Sequence, residues 1–187
     1  KARPKSFYRL ESVFDRAQVD PLPPPAVPSP LDPPIAPIAG DSLAWALPEL
    51  DQVASALGVT VERSPMRPGV DGSYWPAEQR IQVNSTIAVN QQVAAQAHEL
   101  AHALVRIDHR DEDPTLDYAT EELVAESVAF TVCGFLGLDT VGNSVPYLAV
   151  WSEGTPADAF EQVAGLIDRL ARRLEDALAV VEEPAAA

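Results

Sequence analysis

The sequence predicts an α+β domain, dominated by helices and with a small β-sheet packed ahead of its central helix. Two observations carry that prediction. Long stretches near 91–107, 117–136 and 156–180 place apolar residues at helical spacing, whereas 59–63, 73–75 and 80–84 are short strand-like segments between turn residues. The strands come first and the long helices follow, which is the order of an α+β fold rather than a regular βαβ repeat. With 187 residues and 47% apolar content, the chain can build one sizeable core and carry an appendage.

The elements follow in order. Phe7–Phe14 (FYRLESVF) is rich in aromatic and β-branched residues and suits a strand. Nine prolines between 21 and 37 then exclude helix and ladder pairing, so 21–40 is expected to be an extended linker. The compact domain is expected to span 41–187, with 1–20 lying ahead of the linker, where the resemblance described below implies the remnant of a preceding domain. Ser42–Leu57 is expected to be helical, stopped by Gly58, with Pro48 kinking or dividing it. Val59–Arg63 is a strand, and Ser73–Trp75 with Arg80–Asn84 a hairpin joined by Pro76–Gln79. The 91–107 helix comes next, then one from Asp117 to Leu136 stopped by Gly137. Val145–Trp151 is a short helix. A final helix from Pro156 carries an apolar stripe at Phe160, Val163, Leu166, Ile167, Leu170, Leu174 and Leu178.

Charge narrows the function. Thirteen basic side chains against 28 acidic ones leave the chain at −15. Residues 1–20 carry five basic and three acidic side chains, so the remainder sits at −17, and no lysine follows Lys5. Such a body repels phosphates, which disfavours nucleic acid as its direct ligand. Cys133 is the single cysteine and cannot form an internal disulfide, which points to a reducing, cytoplasmic compartment. No apolar run approaches the ~20 residues that span a bilayer.

The chemistry is concentrated in one helix. His98-Glu99-Leu100-Ala101-His102 fits the pattern H-E-x-x-H. Four residues is just over one helical turn, so both imidazoles leave the same face and can share one Zn²⁺. Glu99 stands beside them, placed to polarise a water and shuttle its proton. The surrounding AAQAHELAHALV is otherwise uncharged, so the helix can be buried. A third protein ligand is needed. Asp108 and His109 follow the motif, but a ligand there needs a glycine at position 105, which is Val105. Glu122 and Glu126 share a face of the next helix, and Glu126 lies too deep in an apolar run to serve the helix dipole. One of them should bind the metal and the other orient a histidine. Glu121 is accounted for by the dipole of the first turn.

HELAH, the Glu122-x-x-x-Glu126 pair in EELVAESVAF, VPYLAVW, and YRLESVFDRAQ before a linker together resemble a known family. It is the zincin-like metallopeptidase domain of ArdC-type antirestriction proteins and the related ImmA/IrrE group. The resemblance covers most of 73–155 and the piece at 7–18. It implies a zincin fold of the gluzincin kind, with Glu122 as the third ligand and Glu126 behind a histidine. Glu126 departs from the wider ImmA/IrrE pattern, where an Asn is usual. The resemblance also implies a single-stranded-DNA-binding domain ahead of the peptidase, almost all of it absent here, so contact with DNA would come only through that region.

Tyr147 and Trp151, four apart, either pack as an aromatic pair or place the Tyr147 hydroxyl at the cleft as an oxyanion donor. Cys133 lies among Phe130, Val132 and Phe135 and is expected to be inert. The DGSYW segment is a candidate edge strand for pairing with an extended substrate. The expected function is zinc-dependent hydrolysis of a peptide bond in a specific regulatory or DNA-associated protein. The rival is a non-catalytic module whose zinc only holds the fold while it binds protein or DNA.

Overall fold

The computed structural model describes residues 38–108, 116–144 and 157–179. They form an α+β arrangement of four long helices and a three-stranded sheet. Helix α1 (Ala46–Ala56) leads into strand β1 (Thr60–Ser64), then β2 (Gly72–Trp75) and β3 (Arg80–Asn84). Helix α2 (Val89–Asp108), α3 (Tyr118–Phe135) and α4 (Ala157–Ala179) follow. Pro48 does not kink α1. It occupies the third position of the helix, where a backbone N–H has no intrahelical partner to lose.

The hairpin of β2 and β3 is antiparallel, with Ser73 opposite Gln82 and Tyr74 opposite Ile81. Strand β1 runs parallel to β3, Val61 opposite Ile81, so among the described residues the sheet order is β1-β3-β2 with β2 at an edge. Central β3 sends Ile81 and Val83 into the core, both fully buried.

Helix α2 is the hub and packs against α1, α3, α4, β2 and β3. Its buried stripe of Val93, Ala97, Leu100 and Leu104 meets Leu50 of α1, Val124 and Val128 of α3, and Leu170 and Leu174 of α4 in one cluster. Each large side chain so buried contributes about 1.5–3 kcal/mol relative to exposure. The stripe expected on the last helix is buried from Val163 to Leu178. Helix α3 starts from Asp117, whose side chain accepts the Thr120 backbone N–H, a conventional N-cap.

Polar side chains set the position of α2. Buried Asn90 accepts the Leu43 N–H and donates to the Ala39 carbonyl, and Gln91 accepts the Ile38 N–H. The last residues of the proline-rich stretch are thereby held on α2. Deeper in, fully buried Gln96 donates to Asp51 of α1 and accepts from Arg63 of β1, which itself makes two hydrogen bonds to Asp51. Among the described residues no helix is long and apolar enough to cross a membrane.

Candidate metal centre

His98 and His102 leave α2 one turn apart with ring centroids 4.9 Å apart and planes at 70°. Their Nε2 atoms face each other at 3.2 Å. From α3, the two carboxylate oxygens of Glu122 approach those nitrogens at 3.6 Å each. Among the described residues, His98, His102 and Glu122 are the side chains grouped so that they could hold a metal ion, with donor atoms all within 4.8 Å of one another.

The outer nitrogens are tied down. His98 Nδ1 lies 3.0 Å from Glu126 Oε2, and His102 Nδ1 lies 3.1 Å from Glu121 Oε1. A carboxylate accepts, so each Nδ1 carries the proton and donates it. The Nε2 lone pairs then point inward toward each other and toward an anionic carboxylate. That arrangement is repulsive unless a cation or an added proton lies between them. Two nitrogens bound at ~2.05 Å to a tetrahedral ion sit about 3.3 Å apart, close to the spacing here. The donor set of two imidazole nitrogens and one carboxylate therefore fits a Zn²⁺-type ion, with one position left over.

The charges of the centre follow from its geometry. Burial alone would lower the pKa of His98, but hydrogen bonds to Glu122 and Glu126 and the charge of Glu99 outweigh it and hold the group up at about 10. Burial would likewise raise Glu122 and Glu121, yet their imidazole partners keep both below the usual carboxylate range, helped at Glu121 by Arg106. Glu99 goes the other way. It is 9% exposed, and burial pushes its carboxyl up against the pull of His98 and His102.

Glu99 is fixed from the sheet side. The backbone N–H of Tyr74 in β2 donates to its carboxylate. Gly72 lies so close that a Cβ there would stand 2.8 Å from Glu99 Cγ. The outer edge of β2 thus runs directly past the acid. A cavity opens on either side of this contact. One, of about 330 Å³, is bordered by Val70, Asp71, Ala94, Ala129 and Asn143, and the other, of about 390 Å³, by Ser73, Tyr74, Arg106 and Tyr118. Both reach His98 and Glu99.

The structure thus brings together His98, Glu99, His102, Glu122 and Glu126. It assigns Glu121 a place that the sequence reading did not: besides His102, it accepts two hydrogen bonds from Arg106, at 3.1 and 2.9 Å, so it is more than a dipole residue. The Tyr118 hydroxyl donates to Glu122 and was also missed. The signal for Glu121 was Arg106, one turn past His102 on the same helix. Cys133 is buried at the edge of the smaller cavity, and burial followed by the Glu126 charge pushes its thiol up to about 12, so it stays protonated. Tyr147, Trp151 and His109 lie outside the described residues, as do the strand expected at 7–14 and most of the linker.

No family model and no solved structure matches the chain. An uncharacterized protein of Bacillus anthracis is 35% identical over 75 residues, which is 40% of this chain and 12% of that protein's length.

Proposed function

We infer that the chain is a zinc-dependent endopeptidase domain of zincin-like architecture. The observation that carries this is the inward-facing pair of imidazoles and Glu122 carboxylate, with buried Glu99 beside them. A centre that only held the fold together would not need an acid at the position of Glu99. The resemblance of HELAH and EELVAESVAF to ArdC-type and ImmA/IrrE peptidase domains agrees with this reading.

His98, His102 and Glu122 would hold the ion, with Glu126 and Glu121 fixing the tautomer and tilt of the imidazoles. Zinc, when bound, supplies a Lewis acid that polarises the scissile carbonyl and makes water more acidic. Glu99 takes the proton of the attacking water and passes it to the leaving amine. The outer edge of β2 lies against Glu99, so an extended peptide pairing with it would pass through the centre. The target would be a specific regulatory or DNA-associated protein.

Metal analysis of the purified chain tests the first half of the reading. About one zinc per chain is expected, lost more completely in Glu122→Ala than in Glu126→Ala. A parent that takes up no zinc even when it is supplied overturns the proposal. The second half is tested by digesting a peptide library, with products read by mass spectrometry. Glu99→Gln should retain zinc and yield no products, and turnover equal to the parent would remove Glu99 from the mechanism.

A further inference from the structure

The two carboxylates behind the histidines are held differently. Glu126 has the His98 imidazole as its partner among the described residues. Glu121 is gripped from its far side as well. Arg106 Nε donates to Glu121 Oε1 at 3.1 Å, the oxygen that also receives the His102 proton, and Arg106 Nη2 donates to Oε2 at 2.9 Å. A guanidinium so placed spans both oxygens. A planar fork on a planar group fixes the orientation of the carboxylate as well as its position.

The spacing along the two helices gives this clamp its reach. His102 and Arg106 stand one turn apart on α2 and meet the same side chain of α3. Glu121 is in the first turn of α3 and is followed directly by Glu122, whose two oxygens lie 3.6 Å from the inner nitrogens of His98 and His102. Neighbouring residues of one turn are rotated together, so holding Glu121 on α2 also sets how Glu122 is presented to the histidines. Glu121 is buried, whereas the Arg106 side chain is exposed. A guanidinium so open to water is screened and adds little to stability as an ion pair. What it supplies is direction.

We propose that Arg106 is a positioning residue of the metal centre, acting through Glu121 to hold the His102 ring and the Glu122 carboxylate in their binding orientations. The proposal rests on the metal reading of the site, and it adds a residue outside both the H-E-x-x-H motif and the Glu122–Glu126 pair. Charge alone makes the opposite prediction. Arg106 is a cation near the place of a dication, so its removal would relieve repulsion and tighten metal binding, an effect that fades as salt is added. Loss of orientation weakens binding, and does so at any salt concentration. The sign of the change separates the two.

The test uses the full chain, with zinc titrated in competition with a fluorescent chelator at low and at high salt. The proteins are the parent, Arg106→Ala, Arg106→Lys, Glu121→Ala, and Arg106→Ala combined with Glu121→Ala. Arg106→Ala should keep the helix signal of the parent and bind zinc roughly tenfold more weakly at both salt concentrations, the lower end of what the outer partners of metal ligands contribute. Arg106→Lys should recover only part of the loss, since an ammonium cannot span both carboxylate oxygens. With Glu121 already replaced, removing Arg106 should cost nothing more, because the residue through which it acts is gone. Unchanged or tighter zinc binding in Arg106→Ala overturns the proposal and leaves the metal centre standing. A second loss of equal size in the Glu121→Ala background also overturns it, since Arg106 would then act by another route. A parent that binds no zinc overturns the metal reading and this proposal with it.

Discussion

Each imidazole of the pair has one nitrogen tied to a carboxylate and one turned inward, so the space between the inner nitrogens belongs to a proton or to a cation. In the metal-free chain the proton takes it, which is what a His98 pKa of about 10 expresses. The folded value stands above the ordinary value of 6.5, so this group's contribution to stability is complete below about 6.5 and is lost as the pH rises through about 10. Urea titrations of chelated protein should show stability falling over that window. Metal must displace the same proton. Near neutral pH, uptake should release about one proton, and affinity should weaken about tenfold for each unit of acidification. Calorimetry in buffers of different ionisation heat measures the release. Removing the carboxylate behind either histidine, Glu126→Ala or Glu121→Ala, should each weaken metal binding by about 10–100-fold. The histidines and Glu99 were legible because a single helix fixes their geometry. Glu121 was not, because the helix dipole already explained it and its link to His102 and Arg106 exists only once α2 and α3 pack together.

The elements owe their placement to a few buried polar contacts as much as to apolar stripes. Gln96 lies two residues before His98 on α2 and binds Asp51 and Arg63, so the face that carries the centre is tied to α1 and β1 from behind. Asp51→Ala would leave the Gln96 amide and the Arg63 guanidinium short of partners, at a cost of about 2 kcal/mol. Urea denaturation measures it, and a loss below about 0.5 kcal/mol would mean that the network adds little. The helices and the β2–β3 hairpin were legible because period and turn chemistry are local. The parallel pairing of β1 with β3 was not. An alternating pattern fixes which face of a strand is buried and leaves its neighbour open, and here β3 takes the central place while β2 goes to the edge.

At the scale of the molecule, the apolar core of the described residues runs through α1, α2, α3, α4 and the sheet, and most of it lies away from the centre. Removing the metal should therefore leave the far-ultraviolet signal largely intact while lowering the melting temperature, by an amount that grows with the zinc concentration of the reference sample. Loss of helix signal on chelation would identify a fold built on its metal. The contact between Gly72 and Glu99 has a further consequence, for which sequences can occupy this fold. Gly58 at the end of α1 is a glycine because of its own backbone, at φ +74° with open space around it. Asparagine, which tolerates that conformation, should be accepted there. Gly72 has no such torsional need, and its constraint comes from the neighbouring acid. In a saturation library selected for hydrolysis, position 58 should admit a few residues and position 72 glycine alone. Selection for folding only, in a Glu99→Ala background, should open position 72 to small side chains.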